Sequence, residues 1–429
     1  MNRRKFLHYL QATGMSLTLP WNSVLAQTTG PGRFWVSVNA AGGWDPTSLI
    51  DPKGNRPRSD GRGPVNNYSA AAIRNVGNIR FLGDYPPDAD VPAGDAPGHL
   101  ANFFQRHGNR LMVINGIDTE TNNHDAGSRY IWSGKIEEGY PSFTALAAAT
   151  IAPGEPLAFI SNGGYDHTAA LVAPARIGGG DVFQQLAYPN AGRPQYDAED
   201  KAPYFSDSIY ADIEYARSQR LNRLQQRATL PLQQRQLQEL LLARSGDNNL
   251  NQLVRLLPER SSSGLSGQAE VAVAAFASGV AVSANLNLGG FDTHGSHDVN
   301  HHRRLTDLLT GIDHLWNEIE RNNLQDRVTV MVGSDFGRTP FYNSNRGKDH
   351  WNVTSMMFMG SGIKGNTVIG GTDDHFEALK INPQTLALDP GGITLTPKHV
   401  HLALRRMAGV PADLNGKFGI PENFVNLFA

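Results

Sequence analysis

The sequence predicts an α/β fold in which helices cover both faces of a mostly parallel sheet. Three observations lead there. Short apolar runs, rich in β-branched and aromatic residues, each hand over to a polar loop carrying Gly, Asn or Asp. These runs are apolar along their length rather than alternating, as expected of strands buried on both sides. Segments of helical period stand between them.

The elements follow in order. Residues 34–38 lead into Asn39-Ala40-Ala41-Gly42-Gly43-Trp44-Asp45. Residues 110–114 lead into Asn115-Gly116-Ile117-Asp118, with Asn122-Asn123-His124-Asp125 just beyond. Residues 281–288 run into Gly289-Gly290-Phe291-Asp292-Thr293-His294, and residues 328–332 into Gly333-Ser334-Asp335-Phe336-Gly337-Arg338. Helices are expected over 142–150, 269–279 and 305–322, the last aligning Leu305, Leu308, Leu309, Ile312, Leu315, Trp316 and Ile319 on one face. Residues 356–360 form a further short strand, and 396–408 a helix capped by Thr396 with Pro397 in its first turn. Ligands of open α/β sheets bind outside the carboxyl ends of the strands, so the Asp- and His-bearing loops should meet along one edge.

The amino terminus is organised differently. Asn2-Arg3-Arg4-Lys5-Phe6-Leu7-His8 precedes a weakly apolar run broken by Gln11, Gly14, Pro20 and Asn22, and Val24-Leu25-Ala26 supplies a small-residue cleavage pattern. Residues 1–26 are expected to be a signal peptide read by the twin-arginine export machinery, which carries folded proteins. The run falls short of the about 20 apolar residues of a membrane span, so the mature protein should carry no stable span and be periplasmic or secreted. Residues 27–429 are expected to form one α/β domain. Within it, 181–260 is charged and rich in Gln and Arg with helical period over 208–229 and 232–245, and reads as a helical insertion.

Composition narrows the chemistry. The 38 basic and 40 acidic residues nearly balance and no basic block occurs, which argues against nucleic acid as a partner. Cysteine is absent, which excludes thiolate zinc sites and cysteine nucleophiles. The 45 glycines and 25 prolines describe a loop-rich globular chain, and loops are where function concentrates.

Five of the 14 histidines fall between residues 294 and 314. Asp292 and His294 are two apart, so in an extended segment both side chains would point the same way and could share a divalent ion. The competing reading makes Asp292 a helix cap. Asp335 and Arg338 follow a central strand and suit a metal and an anionic oxygen respectively, or simply each other as an ion pair. Asp45 follows glycines that permit close backbone approach, and His350 lies in a polar loop before the Met-rich strand. His124 and Asp125 complete the set, with Thr119, Thr121 and Ser128 as nearby hydroxyls.

These residues carry a resemblance. Gly42-Gly43-Trp44-Asp45, Asn123-His124-Asp125-Ala126 with Trp132-Ser133-Gly134, Gly290-Phe291-Asp292-Thr293-His294, Ser334-Asp335-Phe336-Gly337-Arg338-Thr339-Pro340 and Asp349-His350-Trp351 are similar to the domain-of-unknown-function 1501 family, which groups with the alkaline phosphatase and sulfatase superfamily. The match runs from about residue 34 to 371. It implies a three-layer αβα sandwich of alkaline phosphatase type, with one or two divalent metals (zinc, manganese, magnesium or calcium) at the carboxyl edge of the sheet. The implied activity is hydrolysis of small anionic phosphate or sulfate esters through a hydroxyl nucleophile. On this resemblance Asp45 bridges metals, Asp292 with His294 serves one metal position, Asp335 the second, and His350 is the late histidine. His124 and Arg338 are expected to be the catalytic residues, Arg338 steadying the anion. The chain departs from the superfamily in carrying Phe336 where a histidine usually follows the acid, and Ser296 four residues after Asp292. Lacking cysteine, it has no precursor for the usual formylglycine, and the nucleophile stays unassigned. The alternative function is a non-catalytic exported binding or structural protein that retains the fold.

Overall fold

Successive side chains of a strand point to opposite sides of a sheet, and here both sets are apolar. The computed structural model describes residues 32–83, 99–153, 157–176, 190, 203–234, 237, 249–258 and 261–428. Its strands are β1 (Phe34–Ala40), β2 (Ile73–Val76), β3 (Ile79–Leu82), β4 (Leu111–Asp118), β5 (Phe159–Ser161), β6 (Pro174–Arg176), β7 (Ser283–Leu288), β8 (Val328–Gly333), β9 (Gly337–Arg338), β10 (His350–Trp351), β11 (Val353–Gly360) and β12 (Thr367–Gly370). Eight of them form one sheet in the order β12-β4-β11-β8-β1-β7-β5-β6. β1 pairs in parallel with β7 and β8, β5 with β6 and β7, and β12 with β4. Only β11 runs the other way, antiparallel to β4 and β8. The carboxyl ends of β1, β4, β7 and β8 therefore share one edge, and the start of β11 lies at that edge too.

The helices are α1 (His99–His107), α2 (His124–Ser133), α3 (Phe143–Ile151), α4 (Asp207–Arg227), α5 (Asn249–Leu256), α6 (Gly264–Ala277), α7 (His297–Arg321), α8 (Pro397–Met407) and α9 (Ala412–Lys417). On one side of the sheet Val36, Val38, Val113, Leu286, Val330 and Met357 pack with Phe103 and Phe104 of α1, Val273 of α6 and Leu308 and Leu315 of α7. On the other, Trp35, Met112, Ile114, Met331, Met356 and Phe358 pack with Ile131 of α2, Phe143 of α3 and Val400 and Leu404 of α8. Neighbouring residues such as Trp35 and Val36, or Met356 and Met357, thus enter different layers. Helix, sheet and helix make the three-layer αβα sandwich, and the sheet is mostly parallel as the continuous apolar strands implied.

Element boundaries track local chemistry. α3 starts where the Ser142 hydroxyl accepts from Ala145 N, and α8 carries a capping box between Thr396 and His399 with Pro397 in its first turn. α6 begins five residues before residue 269, and α7 begins eight residues before residue 305. That longer α7 takes His297, His301 and His302 into a helix and buries all three. In the insertion, α4 forms near its expected place and buries none of its residues. The second insertion helix falls mostly outside the described residues, as does the whole of the signal segment. No helix among the described residues is long and apolar enough to cross a membrane.

Candidate metal centre

Four loops and the short β9–β10 ladder deliver the site. After β1, Gly42 (φ +117°) and Gly43 (φ +80°) turn the chain where side chains are disfavoured, and a Cβ on Gly42 would stand 2.6 Å from Asp292 N. After β4, Asn123 caps α2 by accepting from the Asp125 and Ala126 amides, which sets His124 at the first position of the helix. After β7 comes Asp292-Thr293-His294, and after β8 comes Asp335. Because β11 is antiparallel, the short β9–β10 ladder, with His350 opposite Arg338, reaches the same edge.

Three imidazoles converge there on one carboxylate. His294 Nε2 lies 3.0 Å and His350 Nε2 3.2 Å from Asp292 Oδ1, and His124 Nε2 lies 3.5 Å from Asp292 Oδ2. The ligand atoms of His124, Asp292 and His350 are all within 4.8 Å of one another. Each ring has its other nitrogen occupied. His350 Nδ1 donates to Asn122 O at 2.8 Å, His294 Nδ1 donates to Asp349 Oδ1 at 2.7 Å, and His124 Nδ1 donates to Asp335 Oδ2 at 2.8 Å. Carbonyl and carboxylate oxygens only accept here, so whenever one of these rings is neutral its Nε2 lone pair faces Asp292. Acceptors fixing one imidazole nitrogen while the other faces a shared point is the outer arrangement of metal-bound histidine.

The donor set fits a divalent cation on two further counts. His294 Nε2 and His350 Nε2 are 3.0 Å apart, too close for both to carry hydrogens, so at least one lone pair is directed into the space beside the Asp292 carboxylate, as a cation there would require. Asp335 Oδ1 is buried and has no hydrogen-bond partner. Neutral imidazole with carboxylate oxygen suits zinc and related ions.

Charges around the cluster are strongly coupled. Burial pushes Asp292 up, but the hydrogen bond and charge of Arg338, with His350 and His294, outweigh it and hold the carboxyl down to about 2. The Asp335 hydrogen bond raises His124, whereas desolvation lowers His350. Asp349 is lowered mainly by its hydrogen bond from His294. The Phe336 ring packs against His124 and His350 with centroids 4.8 and 4.5 Å away, so the residue standing in place of a histidine forms an apolar backing for two rings.

Two expected roles are not what the structure places. Arg338 is fully buried: Nε donates to Gly43 O at 2.7 Å, Nη1 to Lys348 O at 3.0 Å, and Nη2 to Gly42 O and to Asp292 Oδ1. Its donors tie the glycine turn to Asp292, which leaves the guanidinium sealed away from an incoming anion. Asp45 is likewise fully buried and apart from the cluster. Its Oδ2 takes Lys348 Nζ at 2.7 Å, His297 Nε2 at 3.1 Å and Ser48 Oγ at 3.1 Å, while Oδ1 takes Thr47 N at 2.9 Å and Thr47 Oγ1 at 2.6 Å. Asp335 meets the cluster through His124 and also accepts from Gly42 N at 3.1 Å. Thr119 is buried with its hydroxyl donated to the Thr121 and Asn352 carbonyls, which removes it as a nucleophile.

Proton placement around Asp45 follows from donors alone. Asp45 N donates to His301 Nε2 at 2.8 Å, so His301 Nδ1 carries the hydrogen and gives it to Thr293 Oγ1 at 3.0 Å. The Thr293 hydroxyl donates onward to His297 Nδ1 at 2.7 Å, leaving His297 Nε2–H to donate to Asp45. Desolvation keeps both rings neutral by lowering them. Thr293 lies between Asp292 and His294, so this buried ring of bonds anchors the loop that bears them.

Sequence reasoning missed the supporting residues Asn343, Lys348 and Asp349 in this role. Asn343 Oδ1 accepts from the Asn345 and Gly347 amides, and its Nδ2 donates to His294 O and Asp349 Oδ1 at 3.1 and 3.0 Å. The available signal was an asparagine four residues before a glycine, the pattern of a side-chain-closed turn.

A mostly parallel αβα sandwich with a histidine-rich centre at its carboxyl edge defines the class. The chain belongs to the family described as "Protein of unknown function (DUF1501)", matched over residues 35–387. No curated protein matches the sequence. Among solved structures it is similar to the PsFucS1 sulfatase from Pseudoalteromonas sp., with 9% identity, TM-score 0.39 and coverage of 91% of this chain and 70% of that one. It is also similar to the lipoteichoic acid synthase LtaP from Listeria monocytogenes, with 8% identity, TM-score 0.34 and coverage of 89% and 73%. A protein in the alkaline phosphatase superfamily from Vibrio parahaemolyticus gives 9% identity, TM-score 0.31 and coverage of 96% and 76%. Similarity at this level assigns neither activity nor site residues.

Proposed function

We propose that this chain is an exported, divalent-metal-dependent hydrolase of phosphate or sulfate esters. The observation that carries the metal is the convergence of the His124, His294 and His350 Nε2 atoms on Asp292, each ring fixed through Nδ1. Those four residues would hold the ion, and zinc, manganese, magnesium or calcium would supply a Lewis acid and an activated water there. The residues of the chain have separate tasks. Asp335 and Asp349 orient His124 and His294, Arg338 fixes the Asp292 carboxylate, and Phe336 keeps water from the back of the rings. The ester class follows from the superfamily that the ordered motifs resemble, and export from the twin arginines Arg3 and Arg4.

The test begins with protein exported by its native route and stripped by chelator. Each of the four ions is restored in turn, and cleavage of aryl phosphate and aryl sulfate esters is followed. Metal-restored cleavage, lost in Asp292→Ala with circular dichroism unchanged, is the expected result. Absence of both bound metal and ester cleavage overturns the proposal.

A further inference from the structure

We infer that the centre holds a single ion, because the acidic pocket at Asp45 already contains a cation of its own, the ammonium of Lys348. This rests on the metal reading above and concerns how many ions the chain takes. A buried carboxylate needs a positive partner. Asp45 and Lys348 have no exposed side-chain surface and meet at 2.7 Å, and Lys348 Nζ also lies 3.3 Å from Thr47 Oγ1. An ion bound to Asp45 would have to displace that ammonium.

The neighbouring groups offer it nothing else. Asp45 Oδ1 is engaged by two donors and Oδ2 by three. His297 Nε2 spends its hydrogen on Asp45, and the His301 Nε2 lone pair is taken by Asp45 N–H, so neither imidazole presents a free ligand atom. Arg338 stands on the Asp292 side, with its Nε on Gly43 O and its Nη1 on Lys348 O, which puts a second fixed cation next to the pocket. Phe336, next to Asp335 in the chain, offers no ligand atom, and its ring is packed against His124 and His350. What stays open is the meeting point of His124, His294, His350 and Asp292, where His294 and Asp292 are each about half exposed, together with the unpartnered Oδ1 of Asp335, whose other oxygen already holds His124 Nδ1.

Metal counting tests this without reference to activity. Chelator-stripped full chain is titrated with zinc alone by calorimetry, and bound zinc is counted by elemental analysis. One equivalent per chain is expected. His350→Ala should weaken binding by at least about tenfold, whereas Asp45→Asn combined with Lys348→Met, which removes the buried pair together, should leave the count at one equivalent. Two equivalents in the wild-type chain overturn the single-ion inference while leaving the metal reading intact. Zero equivalents remove the metal reading and this inference with it. Should the double variant not fold, the wild-type count decides alone.

Discussion

Lys348→Met isolates what the ammonium does for the fold. Asp45 and Lys348 are 303 positions apart in the chain and fully buried together, with Nζ 2.7 Å from Oδ2. Methionine keeps the length and volume of the stem but leaves Asp45 charged and facing only hydroxyls, an amide and a neutral imidazole. Removing one member of a buried pair costs about 3–5 kcal/mol, most of it the uncompensated charge left behind. Unfolding entropy of about 2.1 cal/mol/K per residue amounts to roughly 0.8 kcal/mol/K over the unit Arg33–Ala429, so Tm should fall by about 4–6 °C. Asp45→Asn added to Lys348→Met removes the stranded charge and should recover most of that loss, since neutral replacement of a buried pair is often tolerated. The assay is thermal melting with chelator present and matched scan rates, so that neither metal binding nor irreversibility enters the comparison. The pH dependence has a definite sign. Burial raises Asp45, but Lys348 and His297 more than offset it and hold the carboxyl well below its ordinary value. A carboxylate lowered in the folded state contributes stability that is complete above the unfolded value near about 4 and is lost as pH falls through the folded one. The gap between wild type and the double variant should therefore be flat from neutral pH down to about 5 and narrow only below about 4. A Lys348→Met protein melting within about 1 °C of wild type, or a double variant no better than the single, would refute the reasoning.

Gly43→Ala forces a side chain into φ +80° and sets its Cβ 2.5 Å from the Phe336 ring, so a loss of at least about 1–3 kcal/mol is expected in a circular dichroism melt. Asp349→Asn removes the carboxylate that fixes the His294 tautomer, and calorimetry should show zinc binding weakened about 10–100-fold with the melt of metal-free protein nearly unchanged. Zinc at 100 times its dissociation constant should stabilise the folded chain by about 2.7 kcal/mol, or roughly 3 °C, an increment that chelator abolishes and that His350→Ala cuts to about half or less at the same zinc concentration.

The sandwich was legible because it is written locally. Runs such as residues 328–332 are apolar on both faces, and that pattern belongs to strands with helices on either side. Thr396 with Pro397, and Ser142 ahead of an alanine-rich segment, marked helix starts to within a residue. The amino end of α7 was hidden for a physical reason. His297, His301 and His302 are polar by composition, yet each lies on the buried side of that helix, where the hydrogen bonds of His297 and His301 with Asp45 and Thr293 outweigh composition. The direction of β11 was also beyond reach, because strand polarity depends on which edge the preceding loop returns to rather than on the strand's own residues.

At the centre, the sequence told which residues gather but not which of them are already taken. Asp292, His294, Asp335 and His350 do meet, and His124 joins them through a capped helix that motif spacing could place at the right strand end. Asp45 follows a strand and two glycines in the same manner as Asp292 follows its own, so by pattern the two acids are equivalent. What separates them is the partner each finds across the fold. Asp45 meets an ammonium and two protonated hydroxyls in a sealed pocket, whereas Asp292, held on Oδ1 by Arg338, is half-exposed and meets three imidazoles whose Nδ1 hydrogens go to Asp335, Asp349 and the Asn122 carbonyl. Lone pairs directed at a common point make a ligand set, and hydrogens directed at a carboxylate make a structural knot. That distinction lies in tautomers and long-range pairings, and for this chain it turns on Lys348, a residue whose position beside His350 gives no hint of which carboxylate it neutralises.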